Sequence, residues 1–128
     1  PDMFIHKFLN SIRQNKKIHL YNRGYNYRDF TYIDDVVNIL TKTLKKIPKT
    51  KIINICRSNP IKTTHLVSII KKIYKKSFKV DKIGFVNGEM LKTHGCNKLL
   101  KKNFKYTKFT NIRFGLKKTI LFYKKYGY

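Results

Sequence analysis

Gly24-Tyr25-Asn26-Tyr27-Arg28-Asp29-Phe30-Thr31-Tyr32-Ile33-Asp34-Asp35-Val36-Val37 holds three of the six acidic residues in a chain of 128 whose formal charge is +24. Carboxylates this scarce, gathered this closely, mark positions where a negative charge is needed. Phe30-Thr31-Tyr32-Ile33 predicts a short β-type run. Asp34 and Asp35 stand directly before Val36, Val37, Ile39, Leu40, Leu44 and Ile47, whose spacing lays out one face of a helix. An aspartate there can cap the first amides, and the lysines gathered toward the far end suit the helix dipole. Asp29 is expected to pair with Arg28 and fix the loop. Arg28 itself, beside a glycine turn and between two short strands, can offer a planar two-pronged guanidinium to a phosphate.

Upstream, Phe4, Ile5, Phe8, Leu9 and Ile12 recur at three- and four-residue spacing and predict a helix from about Asp2 to Gln14. Lys17 to Tyr21 alternates and ends at Asn22-Arg23-Gly24, a short strand followed by a turn. Downstream, Lys51-Ile52-Ile53-Asn54-Ile55-Cys56 reads as a buried strand, and Ser58-Asn59-Pro60 turns the chain. Thr63 or Thr64 is expected to cap a helix whose face is Leu66, Val67, Ile69, Ile70, Ile73 and Tyr74, closed by Lys71, Lys72, Lys75 and Lys76. A strand over Lys79 to Phe85, a turn at Asn87-Gly88-Glu89, a short helix around Asn97 to Lys102 and a last helix from about Asn111 to Tyr126 complete the order. Strands and helices in alternation predict an α/β class, in one domain over residues 1–128.

The charge admits two causes. A basic surface attracts nucleic acid, yet 25 of the 30 basic residues are lysine, alanine is absent, and Lys, Ile, Asn, Tyr and Phe fill 70 positions. That is the pattern of base-composition drift, which loads exposed positions with lysine at little cost to the fold. Lysine spread evenly along the chain does not make a patch, which argues against a nucleic-acid-binding module, the rival from another class. The two distant cysteines suit a reducing, cytoplasmic compartment. No apolar stretch approaches the ~18 to 20 residues of a membrane-spanning helix, so no membrane partner is expected.

Redox and nucleotide signatures are missing from these residues. None of the nine tyrosines has a lysine four positions later, and the six glycines form neither a dinucleotide-binding pattern nor a P-loop. The sequence therefore supplies no catalytic and no cofactor-binding residue. His94 and Cys96 share a strand face at most, which is too few ligands for a metal.

Over nearly the whole chain the sequence resembles the extended short-chain dehydrogenase/reductase family, in particular UDP-glucuronate 4-epimerases and related capsular-polysaccharide epimerases. The resemblance is carried by Pro1-Asp2-Met3, Ile18-His19-Leu20-Tyr21-Asn22, the Gly24 turn and, most specifically, Arg28 to Val37. Ile53-Asn54-Ile55 with Asn59-Pro60-Ile61, Asn87-Gly88-Glu89-Met90, Gly115-Leu116, Phe122-Tyr123 and Tyr126 continue it. It implies the C-terminal, substrate-binding portion of a Rossmann-type nucleotide-sugar epimerase, cut from a longer chain. The N-terminal Rossmann half would hold NAD and the Tyr-x-x-x-Lys pair, in the same chain or a partner chain, and the complete enzyme could be a homodimer. The substrate implied is a UDP-sugar. Arg28 would grip its pyrophosphate, Tyr21 would line the nucleoside pocket, and Glu89 would lie near the ribose. The chain departs from the family where Glu89 replaces the usual Asp, Val86 an arginine or glutamine, and Gly95-Cys96 an Ala-Asp pair. A split-gene remnant of such an enzyme is the third reading.

Overall fold

The computed structural model describes residues 3–45, 52–75 and 77–127. Helix α1 spans Phe4–Arg13. Strand β1, Ile18–Leu20, leads into a tight turn at Tyr21–Gly24 and then β2, Tyr27–Arg28. Helix α2 covers Ile33–Lys45, β3 is Ile61–Lys62, α3 is Thr63–Tyr74 and β4 is Val80–Lys82. Helices α4, Lys98–Phe104, and α5, Ile112–Tyr126, close the chain. β1 lies parallel to β4, with Ile18 beside Val80, and β2 antiparallel to β3, with Arg28 beside Ile61. The parallel pair needs a crossover, and α3 lies within it.

The periodic faces of α1, α3 and α5 read from the sequence make the core, whereas Val37, Leu40 and Leu44 of the α2 face stay exposed. Phe8 and Leu9 of α1, Leu66, Val67, Ile69 and Ile70 of α3, and Leu116, Ile120 and Tyr123 of α5 close over Ile18 and Leu20 of β1. Ile12, Ile73, Tyr74 and Ile112, also on the expected faces, pack at its edge. Phe4, Phe8, Phe30 and Phe78 interlock as tilted or edge-on ring pairs, the arrangement that aromatic quadrupoles favour. α5 approaches the Arg28–Val37 stretch closely. A Cβ at Gly115 would stand 3.1 Å from the Tyr32 ring, so a larger residue there would press that ring aside by a few tenths of an ångström.

Several local expectations fail, for related reasons. Phe30–Ile33 is not a strand. Thr31 Oγ1 instead accepts the Arg57 amide, and just before the stretch Asp29 N–H donates to Thr93 Oγ1, while Ile33 already begins α2. Ile52 to Cys56, the described part of the expected strand, is also irregular, because no strand lies beside it among the described residues. Lys51 falls outside them, as do Ile47 on the α2 face and Lys76 on α3. β4 is shorter than expected, although Ile83 N–H still donates to Leu20 O and Gly84 O accepts from Asn22 N–H. The short helix near Asn97 begins one residue later and runs to Phe104.

The predicted caps are a second correction. Thr63 Oγ1 donates to Gly24 O at 2.8 Å rather than capping α3. Neither aspartate caps α2, whose early amides at Asp35 and Val36 reach Tyr32 O. Asp34 pairs with Lys118 on the exposed surface. Asp35 is buried, and its carboxylate accepts Tyr106 O–H, Thr110 N–H and Thr110 Oγ1–H at 2.9 to 3.0 Å. Three donors offset the cost of burying that charge and fasten α2 to the segment before α5. Asn111, by contrast, caps α5 by accepting Arg113 N–H.

Removing the Asp35 carboxylate leaves Tyr106 and Thr110 donors without their acceptor. Asp35→Ala is therefore expected to cost about 2 to 4 kcal/mol in urea unfolding, with Asp35→Asn recovering part. Burial, and then the hydrogen bond to Asp35, pushes the Tyr106 hydroxyl up from its ordinary 10.0. Burial and the Asp34 charge do the same to Tyr32. The native state thus holds these protons more tightly than the unfolded chain. Their stabilisation is full below about pH 10 and is lost as pH rises beyond it. A thermal-melt series should show Tm falling above about pH 10, less steeply in Tyr106→Phe.

Candidate functional site

A cleft of about 230 Å³ opens between α1 and the β1–turn–β2 segment, lined by Phe4, Phe8 and Ser11 on one side and by Leu20, Tyr21, Asn26, Arg28 and Glu89 on the other. The turn that shapes it is strained. Asn22 and Arg23 have φ of 50° and 53°, and Gly24 follows at +76°, where a Cβ would also strike Thr64 at 2.7 Å. Glycine meets both demands.

From that turn a chain of side-chain hydrogen bonds leads to the cleft wall. Val86 N–H donates to Asn22 Oδ1, Asn22 Nδ2 to Asn26 Oδ1, and Asn26 Nδ2 to Glu89 Oε1. The same Glu89 oxygen accepts Arg28 Nη2. Arg28 Nη1 donates to Tyr27 O at 2.9 Å and to Met90 O at 2.6 Å. The guanidinium is thus fixed from two sides, and its Nε–H edge has no partner among the described residues. A fixed arginine with an open edge is suited to bidentate contact with phosphate oxygens.

The three residues singled out from the sequence, Tyr21, Arg28 and Glu89, therefore lie on one cleft. Tyr21 stands half-exposed at its rim. Arg28 pairs with Glu89, not with Asp29 as expected. Asp29 instead accepts three backbone amides, from Ser58, Asn59 and Gly95, at 3.0 to 3.2 Å. Val86 contributes its backbone, since its amide serves Asn22. Sequence reasoning missed the buried Asn22 and Asn26, although strand alternation puts Asn26 on the face of Arg28.

Next to this loop cluster the Cys56 thiol packs against Gly95, and burial, then the Asp29 charge, pushes its pKa up from 9.0. Both cysteines are free. Ser58 Oγ and His94 Nε2 lie 3.2 Å apart on the surface. Among the described residues no group of three or more His, Cys, Asp and Glu side chains could hold a metal ion. No described helix is long and apolar enough to cross a membrane.

Residues 1–56 match the model of the NAD dependent epimerase/dehydratase family. UDP-glucuronate 4-epimerase of Thermodesulfobacterium geofontis is 31% identical over 94% of this chain and 37% of its own length. The crystal structure of UDP-glucuronic acid 4-epimerase from Bacillus cereus, in complex with UDP-glucuronic acid and NAD, superposes with a TM-score of 0.81 at 25% identity. The chain belongs to the NAD-dependent epimerase/dehydratase family. An uncharacterised protein of Methanocaldococcus jannaschii is 34% identical over 92% of this chain and 36% of that protein. The Bacillus cereus match covers 98% of this chain and 40% of its counterpart. The chain thus spans less than half the length of the relatives it matches, and the α/β fold expected from the sequence is the one these epimerases have over that portion.

Asp29 is the group on which the loops at 58–59 and 95 converge. Asp29→Ala should lower stability by about 2 to 4 kcal/mol. It should also speed hydrogen exchange at the Ser58, Asn59 and Gly95 amides while leaving α3 and α5 protected.

Proposed function

We propose that this chain is the substrate-binding portion of a nucleotide-sugar epimerase, with UDP-glucuronate as the substrate class, and that residues 1–128 act as one unit. The observation that carries the reading is the fixed Arg28 guanidinium facing the same cleft as Tyr21 and Glu89. Its open edge would take the diphosphate. Tyr21 at the rim would border the base, and Glu89, held between Asn26 and Arg28, would meet the ribose hydroxyls. The similarity to UDP-glucuronate 4-epimerases and the UDP-glucuronic acid bound in the Bacillus cereus structure support UDP-glucuronate as the sugar nucleotide.

NAD is the cofactor named by the family and present in the Bacillus cereus structure. The residues here do not fit it. The described sheets have two strands each, and no glycine-rich loop joins a strand to a helix as a dinucleotide pyrophosphate requires. Hydride chemistry would come from a separate half that holds NAD. What this chain contributes is position, holding the nucleoside diphosphate end of the substrate so that the sugar's reactive carbon presents to that half.

The exposed face of α2 suits that arrangement. Ile33, Val37, Leu40 and Leu44, at intervals of three and four residues, are each at least half exposed. An apolar stripe of this length on a helix is a docking surface, and the NAD-holding half is the partner we assign to it. Free cysteines in both positions accord with a reducing compartment such as the cytoplasm.

Isothermal titration of the chain with UDP-glucuronate tests the reading. Arg28→Ala should weaken binding by about tenfold to a hundredfold, the loss of a charge-assisted contact, with Arg28→Lys intermediate. Unchanged affinity in Arg28→Ala would remove the assignment.

A further inference from the structure

The even spacing of lysine along the sequence conceals where the fold puts it. α1, α3 and α5 all end at the same pole of the molecule. Arg13 Nη1, at the end of α1, donates to Gly127 O just beyond α5 at 2.6 Å. The ammonium of Lys124 in α5 lies 4.5 Å from the ring centre of Tyr74, the last residue of α3.

The basic residues follow these three ends. Arg13 closes α1, with Lys16 and Lys17 after it. Lys71, Lys72 and Lys75 close α3, with Lys79 after them, and Lys124 and Lys125 close α5. All are exposed. None of the five described acidic residues belongs to these ends: Asp29 and Glu89 hold the loops and the cleft, Asp34 and Asp35 begin α2, and Asp81 pairs with His19 in the strands. Cations at helix C-termini offset the helix dipole, and Arg13 is engaged in that way, while Lys124 and Lys71 lie over the Tyr74 and Phe78 rings. The remaining lysines exceed what three helix ends require. Tyr126, 53% exposed, stands among them, packed on Phe122 at 4.6 Å between ring centres and with the Lys125 ammonium 5.1 Å from its own ring centre, a contact that a stacked base would displace.

We propose that this pole binds single-stranded nucleic acid, its lysines tracking successive phosphates and Tyr126 offering a face to a base. Lysines interleaved with an exposed ring are the elements of sequence-tolerant single-strand binding. An anionic membrane is the competing partner. It is disfavoured because the exposed apolar side chains at this end of α5, Leu121, Phe122 and Tyr126, are fewer than those of the stripe along α2, which insertion would use.

Fluorescence anisotropy of a labelled oligouridylate with the whole chain, between about 50 and 200 mM salt, tests this. Two triple variants are compared with the unaltered chain. Lys16→Gln/Lys72→Gln/Lys125→Gln takes one cation from each helix end, and Lys98→Gln/Lys102→Gln/Lys108→Gln takes three from α4 and the segment after it. Circular dichroism melts confirm that both fold. The expected result is at least a tenfold loss for the first variant, with the log–log salt slope flattened by about 2, at roughly 0.7 per phosphate contact. The second should lose less than about threefold at a salt slope changed by less than one contact. UDP-glucuronate affinity should be unaltered in the first variant, which separates this inference from the substrate reading. Equal losses from the two variants would mean diffuse charge and overturn the proposal. Equal or tighter binding to vesicles containing phosphatidylserine would overturn it too.

Discussion

The carboxylate of Asp29 accepts the amides of Ser58, Asn59 and Gly95, and so joins three stretches of backbone that share no regular ladder. In a fold whose strands are two or three residues long, sheet hydrogen bonds cannot organise the loops. Short polar side chains take over that task. Asp35 ties α2 to Tyr106 and Thr110, Thr63 ties α3 to the Gly24 turn, and Asn97 Nδ2 holds the carbonyls of Cys56 and Arg57. Each satisfies backbone or hydroxyl groups that would otherwise be buried without partners. Drift toward lysine has gone far on the surface of this chain, and the acidic residues that persist are mostly those with such bonds.

This division explains what could be read from the sequence. α1, α2, α3 and α5 were legible because helix periodicity depends on neighbours three and four residues away, all present in the local string. The caps were not. Asp34, Asp35 and Thr63 have the right chemistry and position for capping, but Asp35 and Thr63 are drawn to partners far off in the chain, which no local pattern reveals. The described part of the strand expected over Lys51 to Cys56, from Ile52 on, fails for a similar reason, since an apolar run becomes a strand only beside another one. At the cleft, Arg28 was legible from the glycine turn beside it, with the resemblance adding Tyr21 and Glu89. Asn22 and Asn26 looked like ordinary turn residues, and only their burial shows that they carry the link from the turn to the arginine.

The cleft is held from both sides. Arg28 is clamped by two carbonyls and a carboxylate, and the turn before it is locked by a strained backbone and a buried asparagine pair. Across from it, α1 presents aromatic side chains and Ser11 from a helix held by its core face. Such a site is preorganised at the point of charge, so that little ordering is needed where the electrostatic contact is made. The unpartnered face of α2 lies outside this framework.

The two thiols differ in a way that has a practical use. Cys56 is tucked against Gly95 with its ionisation suppressed, whereas Cys96, on the adjoining stretch, is open to solvent. A maleimide fluorophore or nitroxide would thus attach selectively at Cys96. It would report on the loop beside Asp29 from the native sequence, with no engineered attachment point.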